Sequence, residues 1–415
     1  QLVSVDFQGE AKRIHASGEL ATVFEVSPNG QNFAFRQNYE AFAMPLMPGT
    51  QEVGASPSGG PLPVVKVSNG GADYIHWNGS GDRLYWAIGP TLFSAQTTAF
   101  FATGPLDKDA KPAEFEQPKT GLSLSMPVKS ARPSGLVAFT GARIVSMTDK
   151  NGGIIDNGVV LVENDRIKAV GRAGEFPIPA GTKSVDVSGK TIIPGLVDAH
   201  AHGPHGVDEF TPQQNWVNML ELAMGVTTRH DPSSSAATAF PALEMQRAGL
   251  IIGSRSFSTG EIVYGAKAAD VYAQIDSFDD ALAHVRRLKA QGAHSVKNYN
   301  QPRREQRQQV VAAAIKENIR SVAEGGSLFG MDMTLIADGN TTVEHNIPLG
   351  VFYDDVLQFY AKSKVGYTPT LVVTYGGPAA DPYWRAHTDV FRHPLLQKHQ
   401  PPEVLAANNA RREIA

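Results

Sequence analysis

From residue 195 onward, short apolar segments that read as β-strands alternate with amphipathic segments that read as helices. This alternation is typical of βαβ units and therefore of a parallel sheet. One helix is predicted to start at a capping box at Thr211, and a second is predicted to run from Ser277 to about residue 291. Two more helices are predicted over about 304–318 and 353–363. The predicted strands cover residues 195–201, 226–230, 253–258, 294–299, 320–324, 342–346 and 366–373. The pattern predicts an α/β fold of the (β/α)8 TIM-barrel class that lacks its eighth strand.

Two histidines close the first of these strands, in the stretch TIIPGLVDAHAHG that covers residues 191–203. Residues two apart in a strand share a face, so His200 and His202 are expected to project together. Two neutral imidazoles on one face can hold a cation such as zinc, iron or nickel. The alternative is a pair of surface histidines at a strand end.

Polar side chains also end three later strands of the predicted barrel. Lys297 lies in HSVKNY, Glu324 in IRSVAEGG and His345 in TTVEHN. In a barrel of this class the active site lies at the carboxyl ends of the strands. We therefore expect these three residues to converge with His200 and His202 on a metal centre.

The N-terminal region, residues 1–104, has the short strands and turns of a β domain. SPNGQNFAF from Ser27 and GSGDRLYW from Gly79 are similar at an offset of 51 residues along the chain. A period near 50 with aromatic strands is typical of propeller blades, although chance similarity within a β-sandwich is the alternative. Residues 105–134 are rich in proline, lysine and serine and are interpreted as a linker.

Composition excludes several classes of function. The formal net charge of −4 is too small to favour a nucleic acid or an anionic membrane as partner. No apolar stretch approaches the ~20 residues of a membrane-spanning helix. The chain has no cysteine, which excludes thiolate ligands and fits a periplasmic or secreted protein. Because Gln1 is not a natural start and no signal peptide follows it, we expect a chain that is processed, tagged or cut from something longer.

The motif PGLVDAH resembles the opening signature of the amidohydrolase superfamily, whose first barrel strand ends in a metal-binding histidine pair. Residues 135–194 resemble the N-terminal part of the small β-sandwich that precedes such barrels, and residues 195–415 resemble the barrel itself. The SPNG turn and the VAEGG segment resemble the subgroup that carries an N-terminal Tol-type propeller. The resemblance implies a metal-dependent hydrolase.

In the two-metal members of this superfamily, a strand-four lysine is carbamylated by carbon dioxide and bridges two divalent cations. The resemblance implies this role for Lys297, with zinc as the first expectation and iron, manganese or nickel as alternatives. A lysine at the barrel rim neutralised by Glu324 is the other interpretation. Glu324 stands where the family usually has histidine, so it is either a ligand or an anchor for Lys297. Both residues are expected to serve catalysis.

The implied reaction is attack of metal-activated hydroxide on a carbon–nitrogen bond of an amide, peptide or cyclic amide. The aspartate that ends strand eight in the family has no counterpart after Val373. A homo-oligomer or another chain segment is expected to complete the fold. The alternatives are a non-catalytic propeller and barrel that bind a partner, or a phosphotriesterase-like hydrolase.

Five residues near predicted strand ends are expected to contact a small-molecule or peptide substrate. The sequence does not specify that substrate, since Xaa-Pro dipeptides, other acylated amino acids and cyclic amides all fit the scaffold. The candidates are His205, His230, Tyr264, Asn298 and Tyr375.

Overall fold

The computed structural model of the chain describes three successive parts with different strand patterns. They are a set of N-terminal antiparallel sheets, a five-stranded sheet, and a series of parallel strands with helices. Within the described part of the chain, no helix is long and apolar enough to cross a membrane. The described residues are 1–53, 62–101, 115–148, 153–203, 205–206, 210–268, 271–370 and 389–410.

The N-terminal part forms three small sheets with the orders β1-β2-β6, β3-β4-β5-β7 and β11-β10-β9-β8. The strands are β1 Leu2–Ser4, β2 Arg13–Ser17, β3 Ala21–Val26, β4 Asn32–Gln37, β5 Glu40–Pro45, β6 Gln51–Glu52, β7 Val65–Lys66, β8 Asp73–Trp77, β9 Arg83–Ile88, β10 Thr91–Gln96 and β11 Leu122–Ser123.

The two four-stranded sheets repeat one hairpin. The hairpin β4–β5 and the hairpin β9–β10 have strands of equal length at the offset of 51 residues seen in the sequence. The corresponding turns touch, because the Asn29 side chain donates to the Ser80 carbonyl at 3.2 Å. Ala34, Ala41 and Ala43 lie fully buried in one apolar cluster with residues of the second sheet. Small side chains thus let the two sheets approach closely, while a complete propeller stays a prediction.

The middle part is one five-stranded sheet of order β14-β13-β12-β15, with β16 pairing with β12. Val159 and Leu161 bury one face and Val160 buries the other, as alternation along a strand requires. The second layer of a sandwich stays a prediction. The strands are β12 Leu136–Val145, β13 Ile154–Glu163, β14 Arg166–Arg172, β15 Lys183–Asp186 and β16 Thr191–Ile192.

The C-terminal part contains parallel strands that pair in chain order, as the alternating pattern predicts. They form the sheets β17-β18-β19 and β20-β21-β22-β23-β24. The strands are β17 Leu196–Asp198, β18 Val226–Asp231, β19 Arg255–Ser258, β20 Ile262–Val263, β21 Ser295–Asn298, β22 Arg320–Glu324, β23 Thr342–Glu344 and β24 Gly366–Thr368.

One kinked strand connects these two sheets. Only Thr259, Gly260 and Glu261 separate β19 from β20; β19 pairs with β18, and β20 pairs with β21. The seven predicted strands therefore correspond to seven positions in one parallel array. Within the described residues β24 covers only 366–368 of the seventh strand, and β17 and β24 do not pair. A closed barrel is thus not shown.

The helices differ from the prediction in two respects. The capping box expected at Thr211 is wrong, because α1 begins at Trp216 and its N-cap is Asn215, whose side chain accepts from the Val217 N–H at 3.0 Å. The helices α2, α5 and α7 were not predicted, whereas the helix start predicted at Ser277 is confirmed, with a capping box of Ser277 and Asp280. The helices are α1 Trp216–Ala223, α2 Ala236–Ala248, α3 Phe278–Gln291, α4 Arg304–Lys316, α5 Phe329–Ala337, α6 Asp354–Ser363, α7 Pro394–His399 and α8 Pro402–Ala410.

The N-terminal sheets pack against α2 and α3. The guanidinium of Arg287 lies 3.7 Å from the ring centroid of Tyr39, a cation–π distance. Gln291 donates to Asp73 at 2.5 Å, and the Tyr74 hydroxyl donates to the carbonyl of Ala237 at 2.9 Å. The N-terminal sheets therefore contact the first turn of α2 and the last turns of α3.

Candidate metal centre

His200 and His202 follow the first parallel strand. β17 ends at Asp198, but its ladder continues, since the Ala201 N–H donates to the His230 carbonyl at 2.9 Å. The two rings lie with centroids 5.0 Å apart and planes at 85°. The side chain of His200 is 4% exposed and that of His202 is 55% exposed. The pair therefore runs from the buried interior toward the open end of the strands.

A buried carboxylate holds each of these rings. Nδ1 of His200 lies 2.7 Å from Oε2 of Glu344, which ends β23 and also accepts from the Thr342 hydroxyl at 2.7 Å. Burial alone would raise the pKa of Glu344, but the bonds from His200 and Thr342 hold that pKa below its usual value. Nδ1 of His202 lies 3.1 Å from Oδ1 of Asp231, at the end of β18.

Lys297, Glu324 and His345 meet beside this histidine pair. Nζ of Lys297 lies 2.5 Å from one oxygen of Glu324, and Nε2 of His345 lies 3.0 Å from the other. Lys297 is 1% exposed, so its charge is buried in an ion pair. Burial would raise the pKa of Glu324, but the bond from His345 and the charge of Lys297 lower it to about 2. Glu324 is therefore ionised at neutral pH.

His345 has the most unusual backbone of the site. Its φ of 67° lies in the left-handed region, where a residue with a Cβ is strained. Residues with such strained backbones cluster at functional sites. Its ring centroid lies 4.9 Å from that of His200. Nδ1 of His345 is buried and finds no hydrogen-bond partner among the described residues. The strand-six histidine thus faces the strand-one pair, as expected.

The expected substrate residues are placed differently from one another. The rings of Tyr264 and Tyr299 pack edge-on with their centroids 5.2 Å apart. Burial and the nearby charge of Glu324 raise the pKa of the Tyr299 hydroxyl. Nε2 of His230 lies 2.9 Å from the Ser295 hydroxyl. Tyr375 lies outside the described residues.

Two of the expected substrate contacts do not fit the structure. Asn298 is fully buried and its amide donates to the Arg307 carbonyl and to Asn340, so it braces the strand rather than lining a pocket. His205 is 5% exposed, and both of its ring nitrogens contact protein groups, one of them Asp231. Its position in the loop after β17 suggested substrate contact, but its ring is buried and both nitrogens are already engaged.

Sequence reasoning missed three carboxylates near the site. Glu344 and Asp231 both end strands, a signal that the prediction used for other residues but not for them. The third is Asp332 of α5, which is fully buried and accepts from the Gly326 N–H at 3.2 Å. Burial raises the pKa of Asp332 to about 6.

The side chains fit a divalent cation by their chemistry, although they are arranged as ion pairs. Among the described residues, no three His, Asp or Glu side chains are preassembled around one point. A neutral histidine that donates through Nδ1 keeps its lone pair on Nε2, the nitrogen that His200 and His202 would offer a metal. A carboxylate that orients a histidine in this way is the usual support of a metal ligand.

Comparisons with known proteins find local similarity. No family model matches the chain. A segment of 85 residues is 36% identical to an imidazolonepropionase of Sphingopyxis alaskensis and covers 20% of each chain. A segment of 65 residues is 42% identical to a 5-methylthioadenosine/S-adenosylhomocysteine deaminase of Bacillus cereus, over 15% of this chain and 14% of that one. A solved structure of a Xaa-Pro dipeptidase with bound methionine aligns with a TM-score of 0.49 at 16% identity, over 58% of this chain and 68% of that one.

These local matches indicate no particular protein. The aligned segments span a fifth or less of the length of the two curated relatives. Both relatives are amidohydrolase-type hydrolases that act on carbon–nitrogen bonds, and they support the amidohydrolase superfamily as the class that this chain resembles.

Proposed function

We propose that the chain is a metal-dependent hydrolase that cleaves a carbon–nitrogen bond in an amide, a peptide or a cyclic amide. The observation that carries the proposal is the convergence of side chains from distant strand ends. The His345 ring lies 4.9 Å from that of His200, and Glu324 links His345 to Lys297. The local similarity to hydrolases of carbon–nitrogen bonds supports the same reaction class.

Five side chains would hold the cations. His200, His202 and His345 would contribute imidazole nitrogens, and Glu324 would contribute a carboxylate oxygen. Lys297 as an ammonium can only donate, so it becomes a ligand only after carbon dioxide converts it to a carbamate. We propose two zinc ions, with iron, manganese or nickel as alternatives. When bound, such cations supply an activated water and polarise the scissile carbonyl.

Two carboxylates orient the proposed ligands. Glu344 fixes the ring of His200, and Glu324 contacts both Lys297 and His345. Each oxygen of Glu324 contacts one of these two residues, which fits ligation or anchoring. The pair Tyr264 and Tyr299 lies toward Glu324 and forms an aromatic wall for a small-molecule or peptide substrate.

Three further parts of the proposal concern the protein's surroundings. We propose export to the periplasm or medium, since a cysteine-free chain avoids mispairing there. We propose a homo-oligomer or a further chain segment that covers the edges of β17 and β24, which have no partner strand on one side among the described residues, because unpaired strand edges are a liability. Neither nucleic acid nor a membrane is proposed as a partner, given the net charge of −4.

The test is hydrolysis before and after metal removal. The chain is treated with a chelator, reloaded with zinc, and assayed on Xaa-Pro dipeptides, N-acyl amino acids and an aryl phosphotriester. We expect amide hydrolysis that disappears on chelation, returns with zinc, and falls at least ~1000-fold in His200→Ala, since the activated water depends on the cation. His76→Ala, which removes an exposed histidine of the N-terminal sheets, is the matched control and should be unaffected.

Each other outcome contradicts the proposal. Full activity of His200→Ala or Lys297→Ala would show that the converging side chains are not the centre. Turnover of the phosphotriester alone would indicate a phosphotriesterase-like enzyme. Peptide binding without turnover in the zinc-loaded chain would indicate a binding protein.

A further inference from the structure

Asp231 is a buried carboxylate near the candidate centre that accepts hydrogen bonds from three groups. It is 1% exposed and accepts from both sides: Oδ1 lies 3.1 Å from Nδ1 of His202, and Oδ2 lies 2.8 Å from Nε2 of His205. The Ser233 N–H also donates to Oδ1 at 3.0 Å. With three partners, the carboxylate has no freedom to rotate about its own axis.

The contact on the far side of His205 fixes the proton on that ring. Nη2 of Arg229 lies 3.3 Å from Nδ1 of His205. A guanidinium can only donate, so Nδ1 accepts and the ring proton lies on Nε2, from which it is donated to Asp231. Asp231 is therefore an acceptor toward His205.

Arg229 is itself held from two other elements. Its Nη1 donates to Glu221 of α1 at 2.7 Å, and its Nε donates to the Ser256 hydroxyl of β19 at 3.1 Å. A Cβ at Gly203 would lie 2.9 Å from Nη1 of Arg229, so a larger residue there would press on the guanidinium. These contacts form a series of hydrogen-bonded side chains that runs from Glu221 through Arg229, His205 and Asp231 to the partly exposed His202.

We propose that Asp231 is a positioning residue, which fixes the His202 ring so that Nε2 remains available to a cation. The inference rests on the proposed function, because it needs His202 to be a ligand. The side chain of His202 is 55% exposed, so without Asp231 its ring would sample several rotamers. His205 and Arg229 hold Asp231 in turn, and their buried positions tie the exposed ring to the sheet.

The experiment measures zinc affinity by competition with a chromophoric chelator, together with the melting temperature of the metal-free chain. Asp231→Asn keeps the size of the side chain but turns one acceptor oxygen into a donor group. We expect it to bind zinc ~10–100-fold more weakly, the usual effect of losing such a support. Asp338→Asn is the matched control, because Asp338 is also a buried carboxylate, 2% exposed, that pairs with Arg304 away from the centre.

A second variant covers the case in which Asp231→Asn does not fold. His205→Gln leaves Asp231 in place but breaks the series beyond it, and we expect zinc binding to weaken by several-fold while Asp338→Asn binds as the wild type does. Wild-type zinc affinity in a folded Asp231→Asn, or in His205→Gln where the first variant is unfolded, would overturn the positioning role. Failure of the wild type itself to bind zinc, or undiminished binding by His200→Ala, would instead overturn the proposed function.

Discussion

Two buried carboxylates each accept a hydrogen bond from one histidine of the first parallel strand. Glu344 reaches His200 from β23 and Asp231 reaches His202 from β18, at 2.7 and 3.1 Å. Both bonds use Nδ1, so both rings keep Nε2 for another partner. A carboxylate that holds a histidine through Nδ1 is the usual support of a metal ligand, and here the arrangement occurs at two neighbouring rings.

The loop that follows Glu324 is close to His345, and a glycine in it makes this approach possible. Gly326 has a φ of 79°, and a Cβ there would lie 2.9 Å from Cβ of His345. Gly326→Ala should lower the free energy of unfolding by more than ~2 kcal/mol, from left-handed strain of about 1–2 kcal/mol plus the clash. Chemical denaturation measures the loss, and zinc affinity should fall because His345 is displaced.

The control for that variant is Gly339→Ala. Gly339 has a φ of 89°, but a Cβ added there would have its nearest neighbouring atom 3.8 Å away. Only the backbone strain of about 1–2 kcal/mol should appear, with zinc affinity unchanged. Equal losses of stability and affinity in the two variants would contradict a specific contact between Gly326 and His345.

Among the helices and strands, the strand ends determine which residues meet. Parallel pairing in chain order brings the ends of β21, β22 and β23 side by side, and with them Lys297, Glu324 and His345. The α1 helix begins one turn later than its sequence suggested. Asn215 provides the cap that the ThrProGlnGln segment at Thr211 was expected to provide.

Replacing Asn215 or Thr211 by alanine tests which of these two residues caps α1. Asn215→Ala should destabilise the chain by about 1 kcal/mol, because the Val217 N–H loses its acceptor. Thr211→Ala should change the unfolding free energy by less than ~0.5 kcal/mol, as expected for a residue that caps nothing. Chemical denaturation of both variants makes the comparison, and a larger loss at Thr211 would contradict the observed start of α1.

The sequence allowed prediction of the parallel strands and of the residues that end them, since both depend on local periodicity. It did not reveal α2, which contains Pro241 and lacks a clear apolar stripe, nor α5. Asp231 was missed for a different reason. Its role depends on contacts with His202 and His205, which lie 29 and 26 residues away in the sequence, so its place at a strand end did not identify it.

Across the molecule as a whole, α3 connects the N-terminal sheets to the parallel strands. Its residue Arg287 stacks on Tyr39, and His284 packs edge-on against the same ring at 5.8 Å. Nε2 of His284 lies 3.2 Å from the Gln274 carbonyl. Burial, with the nearby charge of Arg287, lowers the pKa of His284 to about 4.

The depressed pKa of His284 predicts a pH dependence of stability. The unfolded chain takes up this proton near its ordinary value of ~6.5, whereas the folded chain resists until about pH 4. The contribution is therefore fully present above pH ~6.5 and is lost as pH falls toward 4, by up to ~3 kcal/mol. Urea denaturation at several pH values should show a shallower fall for His284→Gln than for the wild type. Parallel curves would contradict the assignment.

Anomalous X-ray diffraction from zinc-loaded crystals at the zinc absorption edge tests the proposed metal centre directly. We expect anomalous peaks bounded by His200, His202, Lys297, Glu324 and His345, with density for a carbamate on Lys297. Peaks elsewhere in the molecule, or zinc-loaded crystals without a peak among these five side chains, would contradict the proposed centre.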